Sequence, residues 1–263
     1  MRSDLSYAID SETATLHFLS DIHIGSAHCN EVKLSRQIEA IANRDDSYVI
    51  LIGDLIDYIN YDDKRYAPRE VADWLRDSGI DNYHDSAAEH LVSILEPVRE
   101  KIICLGKGNH ENSYERKHHY HCAAHLAKLM DVPYGGYSFF VDVTVGQQTY
   151  KVYCHHGAGA AQTPGARLMR LKQFCDIARG ADLVAIGHLH DMLAKYFTSL
   201  TTVDGKVADM LQLGVMTGSF LRAYDSGSTS YAEVKGYPPN ALGHVSVKLG
   251  GDQRWMSPRM WIR

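Results

Sequence analysis

Five short fragments of this 263-residue chain carry side chains able to hold a metal ion or move a proton. In chain order they are Asp21-Ile22-His23, Gly53-Asp54-Leu55-Ile56-Asp57, Gly108-Asn109-His110-Glu111, His155-His156-Gly157 and Gly187-His188-Leu189-His190. Carboxylates and neutral imidazoles at fixed spacing are what a divalent cation needs, and mixed oxygen and nitrogen ligation suits Mn, Fe, Zn or Ni. In an extended chain, residues i and i+2 point the same way, so Asp21 with His23 and His188 with His190 can each face one site. One such fragment is weak, because a lone His is more often packed or solvated than a ligand. Five in order are not explained by packing.

What must position them is a set of strand tips. Each fragment closes or closely follows a run rich in β-branched and aromatic residues: Leu16 to Leu19, Tyr48 to Ile52, Ile102 to Gly106, Tyr150 to Cys154 and Leu183 to Ile186. Near-continuous apolar runs of this length read as strands covered on both faces. Helices are predicted between them at roughly 31–44, 86–99, 113–130 and 165–180. Open α/β sheets bind ligands beyond the carboxyl ends of their strands, so the tips should converge there. After residue 192 short segments joined by Gly- and Ser-bearing turns predict a second, largely antiparallel sheet and a C-terminal tail. Residues 60–82 are polar and longer than a usual connection, which suggests a lid or an interface insertion within a single domain of 1–263.

Hydrophobic residues at 45% and charged residues at 22% exclude a disordered or fibrous protein. The net charge of −5 provides no overall basic field for a long nucleic-acid duplex, though a local basic strip remains compatible with it. Five cysteines without a CxxC pair suggest neither a disulfide framework nor a zinc ribbon. Asp4, Asp10 and Glu12 stand where a signal peptide needs an apolar core, and no stretch approaches membrane-spanning length, so the expected location is cytoplasmic with no membrane partner.

Taken together, DxH, GDxxD, GNHE, HG and GHxH resemble the calcineurin-like metallophosphoesterase superfamily over residues 16–190. The resemblance implies an α/β fold, a four-layer α/β/β/α sandwich of two mixed sheets, with two divalent metal ions, Mn foremost. It assigns Asp21, His23 and His190 to one ion and Asn109, His156 and His188 to the other, with Asp54 bridging. His156 is preferred to His155 because the family's His usually precedes Gly. His110 is implied as catalyst, donating a proton to the departing alkoxide or steadying the phosphoryl oxygens, and Asp57 would orient it.

Protein phosphatases of the superfamily carry Arg after GDxxD and before GNHE, where this chain has Tyr58 and Lys107. The loss of bidentate cations points to a phosphodiester, of nucleotide or short nucleic-acid type, rather than a monoester. A small-molecule or protein phosphomonoesterase is the rival, and a non-catalytic binding protein on the same fold is the third reading. Asn109, His110, Lys107 and Arg222 are candidate substrate contacts, and Arg116 or Lys117 could also reach substrate. Tyr58, Tyr61, Tyr114, Tyr224 and Tyr231 are candidates for base stacking, although tyrosine serves equally as core material. His121 and His125 stand one helical turn apart without a third ligand, so a solvated helix face explains them better. The Trp- and Arg-bearing C-terminus suits an interface or a packed tail, and the oligomeric state stays open.

Overall fold

The computed structural model describes residues 1–59, 61, 63–77, 83–226 and 229–262. Strands β1 (Arg2–Ile9) and β2 (Thr13–Leu19) lead to α1 (Glu31–Ala42) and β3 (Ser47–Ile52). Helices α2 (Asp73–Asp77) and α3 (Tyr83–Leu95) precede β4 (Ile102–Gly106), and α4 (Asn109–His118) and α5 (Cys122–Leu129) follow it. Next come β5 (Tyr134–Gly136), β6 (Ser138–Val145), β7 (Gln148–His155), α6 (Pro164–Ile177) and β8 (Leu183–Ile186). The chain ends with β9 (Met192–Val203), β10 (Lys206–Ser219), α7 (Tyr231–Val234), β11 (Gly243–Gly250) and β12 (Met256–Trp261).

The strands form two halves. In one, β7, β8 and β10 run parallel, with β6, β1 and β9 outside them; in the other, β2, β3, β4 and β5 run parallel beside antiparallel β11 and β12. Alternation along each strand explains the unbroken apolar runs. On β3, Ile50 and Ile52 enter a core shared with Phe139, Val152, Leu183 and Val215 of the other half. Val49 and Leu51 face the opposite way, against Leu34 and Ile38 of α1 and Leu91 of α3. On β8, Leu183 and Ala185 join the shared core while Val184 and Ile186 meet Leu171 and Phe174 of α6. β3 and β8 are buried on both faces because helices cover the outside and the halves cover each other.

The connection between the halves departs from two separate sheets. Gly218 and Ser219, at the end of β10, pair with His244 and Gly243 of β11, so one hydrogen-bonded path runs through ten strands, with β9 and β12 attached beside it. The segment after 192 accordingly does not build a sheet of its own. Strands β9 and β10 extend one half, and β11 and β12 extend the other, because β10 finds β8 and β11 finds β2 as neighbours. The helix expected over 113–130 is two helices: His119 takes a left-handed conformation (φ 52°), which ends α4 before α5 begins. Of the 60–82 segment, the described part is tied to the loop after β2, with Ala27 donating to the Glu70 carbonyl (2.8 Å) and Ala72 to that of Gly25 (2.8 Å). Residues 60, 62 and 78–82 lie outside the described residues.

Candidate metal centre

The tips of β2, β3, β4, β7 and β8 bring five loops together at one end of the two halves. Asp21 and His23 follow β2, Asp54 and Asp57 follow β3, and Asn109 and His110 open α4 just beyond β4. His156 follows β7, and His188 and His190 follow β8. Two loops meet backbone to backbone. A Cβ on Gly53 (φ +87°) would stand 2.1 Å from the Gly108 nitrogen, and one on Gly108 would stand 2.1 Å from Asp54 Oδ1. Only glycine at both places lets the Asp54 loop lie against the start of α4.

Glu111 locks that contact. Its Oε2 accepts from the amides of Asp54 (2.9 Å) and Gly108 (2.8 Å), and its Oε1 accepts from Leu55 (2.7 Å) and Ile56 (3.4 Å). Burial, with Asp54 nearby, pushes this carboxyl up to about 7, against the pull of the amides that favour its charge. Ser20 bonds Asp21 Oδ2 and Thr217, the amide of His188 donates to Asp21 Oδ2 (2.9 Å), and the amide of His110 donates to Asp54 Oδ1 (2.8 Å). One oxygen of each carboxylate is thereby occupied, and the other faces the centre.

With the rings neutral, the inward atoms are all acceptors. His156 Nδ1 lies 2.9 Å from the Ile52 carbonyl, so that nitrogen carries the proton and Nε2 presents its lone pair. This Nε2 is 3.1 Å from Asp54 Oδ2 and 3.0 Å from Asn109 Oδ1, neither of which has a proton to give. His23 Nδ1 lies 3.0 Å from Asp57 Oδ1, which turns its Nε2 toward Asp21 Oδ1 and Asp54 Oδ2, each at 4.0 Å. His190 Nε2 is 3.1 Å from Asp21 Oδ1. The Gly159 carbonyl accepts from His188 Nε2 (3.0 Å), leaving Nδ1 as that ring's lone pair. Ligands bound at about 2.0–2.2 Å to one cation sit roughly 3–4 Å apart, which is the spacing found here.

Two buried atoms of the cluster, Asp21 Oδ1 and His23 Nε2, have no hydrogen-bond partner. Leaving such atoms unsatisfied costs about 1–3 kcal/mol each, more if charged, and a cation between them removes that cost. The side chains therefore fit divalent metal, in one group of Asp21, His23 and His190 and another of Asp54, His156 and His188, with Asn109 against the second; His23, Asp57 and His110 form a third such group beside the first. Electrostatics agrees. Burial opposes charge on Asp54 and Asp21, yet His156 and His110 beside the first hold it well below the ordinary carboxylate range, and His190 beside the second holds it at about 2. Burial likewise opposes charge on His156, but Asp54 outweighs it and raises the ring to about 10. A proton stands where a cation would.

Backbone strain gathers here as well. Asp21, His23, Asp54, His188 and His190 all adopt left-handed backbone, with φ between 49° and 71°, as does Tyr58 (φ 52°). Such residues cost of order 1–3 kcal/mol each and cluster where surrounding structure and function over-determine them.

His155 lies on the opposite side of its strand from His156. Its ring stands 4.6 Å from that of Phe174 in α6, its Nδ1 accepts from the Gly157 amide (2.8 Å), and burial pushes it down to about 4. His110 is buried with Nδ1 on the Asp57 carbonyl oxygen. The Asp57 carboxylate is nearer His23 Nδ1 (3.0 Å) than His110 Nδ1 (3.5 Å), so the expected carboxylate support for His110 comes chiefly from the Asp57 backbone. The reason is reach: Asp57 lies between the two rings, and its carboxylate turns toward the one whose Nδ1 is otherwise unfilled.

Two candidate substrate contacts are engaged elsewhere. Lys107 forms an ion pair with Glu115, and Arg222 Nη1 lies 3.4 Å from Asp225 Oδ2. Among the stacking candidates, Tyr58 is buried between Tyr114 (centroids 4.7 Å apart) and His84 (5.6 Å), so it and Tyr114 serve the protein's own packing. Tyr61 and Tyr224 are exposed, and the side chain of Tyr231 lies outside the described residues. His121 is exposed at the cap of α5, and the C-terminal segment is strand β12 against β11. Sequence reasoning missed Arg65, whose Nη1 is 3.4 Å from His110 Nε2. Its segment has no periodicity to place it.

No protein-family model and no curated protein matches the chain. Among solved structures it is similar to a Streptococcus pneumoniae protein described as a predicted phosphoesterase, with 13% identity and a TM-score of 0.35 over 95% of this chain and 98% of that one. It is also similar to Vps29 of Entamoeba histolytica, solved with zinc, at 11% identity and a TM-score of 0.40 over 94% and 98% of the two chains. A third is the calcineurin-like phosphoesterase YfkN of Bacillus subtilis, at 10% identity and a TM-score of 0.36 over 77% and 90%. At these identities and TM-scores the reading of the site rests on its own residues.

Proposed function

We propose that the chain hydrolyses phosphoesters with two divalent cations, in the manner of the calcineurin-like metallophosphoesterases, and that its substrates are phosphodiesters of nucleotide or nucleic-acid type. One observation carries the reading: Asp54 Oδ2, Asn109 Oδ1, His156 Nε2, His23 Nε2 and Asp21 Oδ1 converge, and with neutral rings no donor stands among them. Asp21, His23 and His190 would hold one cation, and Asn109, His156 and His188 the other, with Asp54 shared. When bound, such a pair supplies Lewis acidity to phosphoryl oxygens and lowers the pKa of water. Mn is the metal proposed, with Fe, Zn and Ni as the other ions this donor set suits.

The remaining work falls to the chain. Burial lowers the His110 pKa, but the carboxylates of Asp54 and Asp57 outweigh it and raise the ring above its ordinary value. Its Nδ1 proton is held on the Asp57 carbonyl, which leaves Nε2 as the atom that protonates a departing alkoxide. Asp57 serves two rings, fixing His110 by its carbonyl and His23 by its carboxylate. The diester preference is supported by the cations near the site. Lys107 is spent on Glu115, Tyr58 brings no charge, and the fork of Arg65 is held by Asp63, so a dianionic monoester would lack the two-armed grip it needs. All five cysteines are free and buried, which supports a reducing, cytoplasmic location, and no helix among the described residues is long and apolar enough to cross a membrane.

The test uses bis-p-nitrophenyl phosphate and p-nitrophenyl phosphate with Mn2+. Faster cleavage of the diester is expected, and cleavage of the monoester alone would overturn the diester preference. Elemental analysis well below one metal per chain after loading would favour a non-catalytic binding protein instead.

A further inference from the structure

Beside His110, through its contact with Arg65, opens a cleft of about 540 Å³ lined by Asp63, Lys64, Arg65, Ser113 and Lys117. Three of these residues are cationic and one is anionic, in a chain whose overall charge is −5. Arg65 is the organised member. Its Nε and Nη2 form a fork on the two oxygens of Asp63 (3.0 and 2.9 Å), and Asp63 Oδ1 also accepts from the Arg65 amide (2.8 Å). That clamp fixes the guanidinium plane and sends Nη1 to His110 Nε2 at 3.4 Å.

Arg has only donors to offer, and Nη1 is the guanidinium nitrogen that the Asp63 fork leaves unengaged. An anionic oxygen beside Nη1 therefore gains a charged donor next to His110. Neither Lys64 nor Lys117 belongs to the five ligand fragments, and both line the same cleft as Arg65.

We infer that this cleft binds an anionic group on the leaving portion of the substrate, which makes the preferred substrate a phosphodiester whose departing alcohol itself carries a phosphate, as in a nucleotide chain. The inference rests on the phosphodiesterase reading and on His110 facing the leaving group, because the cleft adjoins His110. Arg65 is the specificity residue, Asp63 positions it, and Lys64 and Lys117 extend the field that attracts the second phosphate.

Two measurements test it. With the EDTA-treated protein, titration calorimetry with thymidine 5′-monophosphate should show binding that weakens at least about tenfold in Arg65→Ala and in the double variant Lys64→Ala with Lys117→Ala. With the Mn2+-loaded protein, a thymidine dinucleotide is compared with the same dinucleotide bearing a terminal phosphate at its 5′ or its 3′ end. One phosphorylated form should be cleaved with a kcat/KM about ten times that of the unphosphorylated form, and the ratio should fall to about one in both variants. Equal kcat/KM for all three substrates, or a preference that both variants retain, overturns the inference while leaving the phosphodiesterase reading standing. Absence of cleavage of these substrates and of bis-p-nitrophenyl phosphate alike overturns both. The double variant removes no contact to His110, so a fold or turnover defect in Arg65→Ala alone does not decide the result.

Discussion

At the scale of single residues, the centre separates groups that would hold metal from groups that would act on substrate. His110 is the sharpest case, since its ring touches Asp57 and Arg65 and stands edge-on to the His23 ring (centroids 4.6 Å apart). His110→Ala should lower kcat by roughly 10²–10⁴, the usual range for removing a general acid, while metal content measured by elemental analysis stays at the wild-type level. Loss of metal in that variant would show the ring to be a ligand instead. Glu111 predicts the opposite pattern. Glu111→Gln keeps the shape but places an NH₂ against amides that now donate to a carboxylate, so about 1–3 kcal/mol of stability should be lost. Because those amides belong to the Asp54 loop, metal content should fall with it, and an unchanged denaturation midpoint and metal content would refute the role given to this clamp.

At the scale of elements, the strand tips were legible because both faces of β3 and β8 are buried, so their sequences run apolar up to the Gly before the first ligand, while β2 runs apolar to Leu19 apart from its threonines and His17. The glycines of GD and GN were legible as motifs, but their reason, two loops in backbone contact, needs the fold. What stayed hidden depends on contacts distant in sequence. Arg65 meets His110 across 45 residues, the Asp57 carboxylate chooses between two rings, and β11 joins β2 from the far end of the chain. The same strand pair conceals a buried relay: Ser47 Oγ lies 3.2 Å from His17 Nε2, His17 Nδ1 2.8 Å from His244 Nε2, and His244 Nδ1 2.6 Å from Gln37 Oε1. Burial pushes His17 down to about 3 and His244 well below its ordinary value, so both rings are neutral in the fold. An unfolded histidine takes a proton near pH 6.5, so between about pH 6.5 and about pH 3 the unfolded chain binds more protons than the native one. Stability is therefore full above the unfolded pKa and lost as pH falls, by up to about 1.4 kcal/mol per pH unit for each excluded proton. Urea midpoints of the EDTA-treated protein at pH 7.5 and 5 should differ in this direction, and His244→Gln should shrink the difference; an unchanged pH dependence would refute the relay's part in it.

At the scale of the whole molecule, the candidate ligands tie together the ends of both halves: Asp21, His23, Asp54 and Asn109 come from one, and His156, His188 and His190 from the other. Five of these seven residues sit in left-handed backbone, and two of their inward atoms lack a partner. Such an arrangement is expensive without a cation and should be relieved by one, so metal binding and global stability must be linked. At a free Mn2+ concentration one hundred times Kd, the linkage amounts to about 2.7 kcal/mol per site, or roughly 5–10 °C in Tm for a chain of this size. Differential scanning calorimetry of EDTA-treated and Mn2+-loaded protein should show that rise. Asp54→Asn removes the carboxylate proposed to be shared by both cations, so it should abolish most of the rise. Mn2+ that leaves Tm unchanged, or raises the Asp54→Asn variant as much as the wild type, would mean that the converging acceptors are not the place where this fold takes up metal.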